Sequence, residues 1–120
     1  MKFTKTHEWI KKQGDIAIVG VSHYAQDQLG DIVYVELPKI NKSIKAGEEV
    51  AVLESTKAAA DVYSPLSGTI IEVNSALNQN AELINKSAEN EGWIFKIRFD
   101  NEKEIDEMMD ELDYKKKNSV

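Results

Sequence analysis

The chain contains no cysteine, which excludes disulfides, thiolate nucleophiles and cysteine metal sites. Any redox chemistry it joins must draw its sulfur from an attached group. Histidine is nearly as scarce: His7 and His23 are the only two, and no further ligand stands at the spacing a zinc site needs. Two prolines and six glycines in 120 residues leave no low-complexity linker. The chain therefore reads as one domain over residues 1–120, with its core at about 3–99. No apolar run approaches the ~20 residues of a membrane span. Met1-Lys2-Phe3-Thr4 leads straight into the first motif, with no room for a signal or transit segment. The expectation is a complete cytoplasmic chain, most simply bacterial, with a processed organellar form as the alternative.

Positive charge is also in short supply. Residues 1–60 hold eight lysines against eight acids, whereas residues 61–120 hold seven basic against thirteen acidic residues, so the whole net charge of −6 lies in the second half. That balance disfavours nucleic acid, whose backbone demands the opposite sign. An acidic face can aid docking on basic enzyme surfaces, although a solvated face explains it more simply. With 42% apolar residues the chain is globular rather than disordered. It is read as a partner of neither nucleic acid nor membrane.

What is present is mostly strand. Glu8-Trp9-Ile10 and Ile16–Val21 read as strands punctuated by Gln13-Gly14-Asp15. Ser22 opens a short helix carrying Ala25 and Leu29, and Gly30 stops it. Further strands are expected at about 31–37, 49–54, 58–63 and 68–74. After an irregular stretch over 86–92, Trp93, Phe95, Ile97 and Phe99 alternate against Ile94, Lys96 and Arg98, as in a strand with one buried face. In the tail, Asn101-Glu102-Lys103-Glu104 is a capping pattern for an amphipathic helix over about 101–115. Ile105, Met108, Met109 and Leu112 form its apolar stripe, expected to pack on the sheet rather than bind a partner. The Lys115-Lys116-Lys117 run suits a helix C-terminus.

An internal echo organises these strands. Gly30-Asp31-Ile32-Val33-Tyr34-Val35 is matched by Gly68-Thr69-Ile70-Ile71-Glu72-Val73. Ile44-Lys45-Ala46-Gly47-Glu48-Glu49-Val50 is matched by Leu77-Asn78-Gln79-Asn80-Ala81-Glu82-Leu83, with Gly47 or Asn80 at a turn that tolerates left-handed backbone. Two such units predict a mainly β, pseudo-symmetric flattened sandwich with one short helix in the N-terminal half and one at the C-terminus.

Lys57 sits at the joint of the two units. It tips a turn between strands, flanked by the small residues Ser55, Thr56, Ala58 and Ala59, and so points outward. A lone surface lysine is ordinarily a solubilising charge; this one stands between two similar strand units with no bulky group beside it. It is ill suited to Schiff-base catalysis, which needs desolvation to lower its pKa. Ser64 and Ser67 have no adjacent base to make them nucleophiles. The chain is accordingly read as no enzyme.

Four segments resemble the glycine cleavage system H-protein family. They are Thr6-His7-Glu8-Trp9-Ile10, the run from Tyr24 to Pro38, the run from Glu54 to Pro65, and Gly92-Trp93-Ile94-Phe95-Lys96-Ile97. The likeness runs in order over most of residues 3–99. Thr56 stands where that family usually has valine, and Ala60 where it often has serine. The resemblance implies a barrel-sandwich hybrid of the lipoyl/biotinyl-carrier type, with lipoate on Lys57 as N6-lipoyllysine. It also implies a set of partners: glycine decarboxylase (P protein), aminomethyltransferase (T protein), dihydrolipoamide dehydrogenase (L protein), and a lipoate ligase or lipoyl/octanoyl transferase. The arm carries the aminomethyl group of glycine from P to T and is reoxidised by L. Carried over by motif, Glu8 and Asp61, with Thr6, line the cleft that holds the loaded arm, although either acid could be an ordinary surface charge.

Related readings remain. A biotin carrier shares the architecture, but methionines typically flank its lysine where Thr56 and Ala58 stand here. A lipoyl domain of a 2-oxoacid dehydrogenase would be shorter and tethered to a larger chain. An H-like relay passing lipoyl groups to other acceptors is the nearest alternative, and an unmodified β-sandwich interaction module the most distant.

Overall fold

The computed structural model describes residues 1–118. The chain opens with β1 (Lys2–Phe3), β2 (Glu8–Gln13) and β3 (Ile16–Val21), followed by α1 (His23–Leu29). Next come β4 (Ile32–Glu36), β5 (Ser43–Ile44), β6 (Glu49–Ser55), β7 (Ala59–Tyr63) and β8 (Gly68–Val73). A 3-10 turn (Ser75–Asn78) and α2 (Leu83–Ser87) lead to β9 (Phe95–Phe99), α3 (Lys103–Asp106), β10 (Met109–Asp110) and α4 (Glu111–Asn118). The larger sheet runs β10-β1-β2-β3-β9-β8-β5 and the smaller β4-β6-β7. Val19, Ile70 and Ile97 from the first join Val35 and Leu53 from the second in one buried core. This is the mainly β, two-sheet arrangement that the strand pattern predicts.

The predicted local signals act as expected around α1. Ser22 caps it, its Oγ accepting the Ala25 N–H at 3.1 Å, and Gly30 ends it at φ 82°. The internal echo is visible in the pairing. One register shift falls between Ile32 and Tyr34 in β4, and another between Ile70 and Glu72 in β8, the same step of each copy. The copies then diverge. Gly47 takes φ 88°, but Asn80 keeps an ordinary backbone, contrary to expectation, and its turn feeds α2 instead of a strand.

Trp9 locks β2 to the rest. Its ring lies so close over Gly20 that any Cβ there would come within 2.7 Å of it. Its indole N–H is shared between the carbonyls of Val21 (2.9 Å) and Ala88 (3.0 Å), so this large buried side chain leaves no polar atom unsatisfied.

Two expectations need correction. Ile94, assigned to the polar face of β9, is fully buried, while Trp93 is only half-buried. The strand begins after Ile94, whose N–H bonds the Val19 carbonyl at 2.8 Å, so strand alternation does not yet govern that position. The tail is not one helix over 101–115. Its first piece, α3, is held where the Glu104 carboxylate accepts the Ser67 N–H and hydroxyl, both at 2.8 Å. The chain then extends so that Phe3 pairs with Met109 and Lys2 with Asp110, covering an otherwise open edge of the larger sheet. Asp110 Oδ1 accepts the Asp113 N–H at 2.9 Å, and the helix restarts.

The break turns the second helix. Tyr114 is buried at 4% exposure, stacked on Phe3 with centroids 4.4 Å apart, while Leu112 is 64% exposed. Of the predicted stripe, Ile105 is buried and Met108 and Met109 are half-buried. Ile105→Ala should therefore cost about 2–5 kcal/mol, whereas Leu112→Ala should stay within about 0.5 kcal/mol of the parent. Denaturant melts of the two variants check this ordering.

Candidate functional site

Strands β6 and β7 pair antiparallel from Val52–Asp61 up to Glu54–Ala59, leaving Lys57 at the tip of their hairpin. Hydrogen bonds fill the tip. Ser55 Oγ accepts the N–H groups of Lys57 and Ala58, each at 3.1 Å, and donates to the Ala58 carbonyl at 3.1 Å. Ser55 N–H reaches the same carbonyl at 2.8 Å, and Thr56 N–H bonds the Asp31 carbonyl at 3.1 Å. A serine that satisfies the turn's own donors in this way stiffens it. The Lys57 side chain is exposed and passes over Gly30, where a Cβ would lie 3.1 Å from its Cε. Glycine there serves both the left-handed backbone and the passage of the lysine.

The ground beneath that passage is also fixed. Asn85 in α2 accepts the Ile32 N–H at 2.8 Å and donates to the Gly30 carbonyl (2.8 Å) and to Gln26 Oε1 (2.9 Å). One side chain thereby joins the end of α1 to the start of β4.

A cleft of about 320 Å³ is lined from both sheets and from α1. Glu8 and Val21 come from the larger sheet, Leu53, Ala60 and Asp61 from the smaller, and Tyr24, Ala25, Gln28 and Leu29 from the helix. Its walls are mainly apolar, with Thr6, His7, Glu8 and Asp61 supplying polar ends. The structure thus brings Glu8, Asp61 and Thr6 to one cleft. Among the described residues, no three His, Asp or Glu side chains converge where a metal ion could sit.

The two acids differ sharply. Asp61 is exposed, whereas Glu8 is 1% exposed, so Glu8 is no ordinary surface charge. Its Oε1 accepts the hydroxyls of Thr4 (2.7 Å) and Thr6, and its Oε2 accepts the Tyr63 N–H at 3.1 Å. None of the ion pairs among the described residues includes it. Burial pushes its pKa above the ordinary value, and the hydrogen bonds from Thr6, Thr4 and Tyr63 offset part of that rise.

His7 is the cleft residue that sequence reasoning passed over. It adopts φ 76°, uncommon for a side chain other than glycine. Its Nδ1 lies 2.7 Å from the Tyr114 hydroxyl, which is also 2.6 Å from Ser22 Oγ. Its ring sits 4.9 Å from that of Tyr24. Burial lowers the His7 pKa and raises that of Tyr114. His7 stood inside a motif the sequence displays, but its partner lies 107 positions away, and no local pattern signals such a contact.

A two-sheet β fold with a rigid lysine-tipped hairpin beside an acid-ended cleft defines a carrier-type domain. The family model for the glycine cleavage H-protein matches residues 1–119. The chain is 53% identical over 113 residues to the glycine cleavage system H protein of Thermotoga maritima, covering 94% of this chain and 91% of that one. It is 50% identical to that of Bartonella tribocorum, covering 94% and 93%. A crystal structure of a glycine cleavage system H protein from Mycobacterium marinum superposes with a TM-score of 0.90 at 30% identity, covering 99% of this chain and 96% of that one. The chain belongs to the glycine cleavage H-protein family, whose members are carrier components of the glycine cleavage system.

The raised Glu8 pKa has a sign that can be tested. The folded state holds the Glu8 proton more tightly than the unfolded chain does. The resulting stabilisation is complete below the ordinary value of 4.5 and is lost as pH rises through the raised pKa. Glu8→Gln does not titrate. Its melting temperature should gain on the wild type as pH climbs from about 4.5 toward neutrality, and a constant difference would show that the carboxyl titrates normally.

Proposed function

We propose that Lys57 is the attachment point for lipoate and that the cleft at Glu8, Asp61 and Thr6 receives the far end of the resulting arm. The reading rests chiefly on one observation: an exposed lysine on a hydrogen-bonded hairpin whose side chain is led across Gly30. The cleft suits the group, having apolar walls for an eight-carbon acyl chain and carboxylates for a cationic end. A lipoate ligase, or a lipoyl or octanoyl transferase, makes the amide. The Lys57 nitrogen attacks the activated acyl carbon, the activating group leaves, and a proton is lost to solvent. When bound, the lipoyl group supplies the disulfide that takes up the aminomethyl fragment of glycine at the P protein, yields it at the T protein and is restored by the L protein.

The chain's own part is to present and to shelter. Tethering confines the arm's end to a small volume and so raises its effective concentration at each partner. Leu53, Ala60, Val21 and Leu29 exclude water along the cleft. Glu8, buried and lacking an ion-pair partner among the described residues, gives a docked ammonium its strongest anchor. Asp61, exposed to solvent, adds about 0.2–1 kcal/mol, and Thr6 already donates its hydroxyl to Glu8. The chain acts as a non-catalytic carrier in the cytoplasm, its 120 residues forming a single domain.

Intact mass and peptide mapping test the attachment. Wild-type protein from a lipoylating host should carry one lipoyl group, at Lys57, and Lys57→Arg should fold normally and carry none. A lipoyl group mapped to another lysine overturns the reading. Docking is tested separately by non-enzymatic loss of the carried one-carbon unit. Glu8→Gln should speed it roughly tenfold and Asp61→Asn only a few-fold, with lipoylation unchanged in both. Equal rates in all three proteins would remove these carboxylates from the docked state.

A further inference from the structure

Among the described residues, large exposed apolar side chains are scattered, with one exception beside the lysine hairpin. Val33 and Tyr34 are adjacent in β4 and are 60% and 52% exposed. Regular alternation would bury one of the two. The register shift between Ile32 and Tyr34 prevents it: Ile32 stands opposite Ser55 and Tyr34 opposite Glu54, so two steps of β4 match one step of β6. The result is a buried-exposed-exposed-buried run from Ile32 to Val35. Bulges re-aim side chains in this way, and they concentrate next to functional sites. Here the bulge turns two large side chains outward opposite the last residues before the lysine turn.

The molecule carries its own control. The matching bulge in β8 falls between Ile70 and Glu72, and the residues equivalent to Val33 and Tyr34 are Ile71 and Glu72. Ile71 is half-buried, and Glu72 is charged and paired with Lys96 at 3.3 Å. Both copies keep the bulge for the fold. Only the copy that borders Lys57 exposes apolar side chains there.

We propose that Val33 and Tyr34 are the docking surface for the acyl-transferring enzyme that modifies Lys57, an inference that rests on Lys57 being the lipoylated residue. The location of the chemistry selects this partner. An enzyme that acylates the lysine nitrogen must bring its active site within one lysine side chain of the hairpin, and so must cover the flanking bulge. Enzymes that work on the far end of the arm can stay an arm's length away. The patch is bordered by Asp31, Glu36 and Glu54, all exposed and outside the ion pairs among the described residues. The complementary surface is therefore an apolar pocket with a basic rim. Aromatic anchors of this kind carry most of the binding energy in such contacts.

The test uses unmodified full-length chain with purified lipoate–protein ligase, lipoate and ATP, followed by intact mass. Val33→Ser combined with Tyr34→Ser should raise the KM for the chain about tenfold and leave kcat within twofold of wild type. Glu72→Ser, at the matching bulge, should change neither. Once fully lipoylated at high ligase concentration, the double variant should support decarboxylase-dependent exchange of the glycine carboxyl with bicarbonate within twofold of wild type. A double variant acylated with the wild-type KM overturns the proposal. A parallel loss in ligation and exchange overturns the assignment to the acylating enzyme and makes the patch a shared docking face. Wild-type chain that gains no lipoyl mass at Lys57 overturns the underlying reading instead. If the double variant melts early, Tyr34→Lys alone, which sets a positive charge against the basic rim, gives the same comparison with a larger rise in KM.

Discussion

Glu8 ties the two sheets together at the point where the cleft opens. It belongs to β2 of the larger sheet, and its Oε2 accepts the Tyr63 N–H from the end of β7 in the smaller one. Its Oε1 gathers the hydroxyls of Thr4 and Thr6 from the turn that returns β1 to β2. A buried carboxylate without a cation is costly, and these donors lower that cost without removing it, as the raised pKa records. The same property fits it to receive a cation. In the proposed docked state an ammonium would meet a charge already dehydrated, and the attraction between them would be less screened than at the surface. Structural tie and proposed arm anchor are thus one group seen from two sides.

The hairpin obeys the opposite logic. Lys57 is exposed, and its setting is supplied by the backbone around it. Ser55 occupies the donors of the turn, Asp31 takes the Thr56 N–H, and Asn85 secures the strand that carries Asp31's neighbour Ile32. In the proposed role, an amine found by one enzyme and an arm found by several would gain from a fixed point of origin.

Legibility followed the range of the interactions. The caps of α1, the β6–β7 hairpin and the exposed lysine depend on residues within a few positions of one another, and the sequence displays them openly. The internal echo was readable too, because both copies keep glycine, strand and anchor in order. The tail departs from its helical pattern for a physical reason. A helical stripe predicted from Ile105 to Leu112 competes with the open edge of β1, and pairing of Met109 with Phe3 prevails. That contact joins opposite ends of the chain, as does His7 with Tyr114, and periodicity carries no information about either. The burial of Glu8 was hidden likewise, since its three donors come from Thr4, Thr6 and the distant Tyr63.

The duplicated unit has divided its labour between the copies. In the first, the turn after Ile44 leads into β6 and so to Lys57; in the second, the turn after Leu77 leads into α2 and so to Asn85. Asn85 reaches back to the first copy and holds Gly30 and Ile32, the residues over which and beside which the lysine operates. The bulges tell the same story, with Tyr34 free in one copy and Glu72 neutralised by Lys96 in the other. Two copies with the same course would present two equivalent tips. With a helix where the second copy would place a tip, the fold presents a single lysine hairpin braced by Asn85, which suits the proposed carrier of one arm.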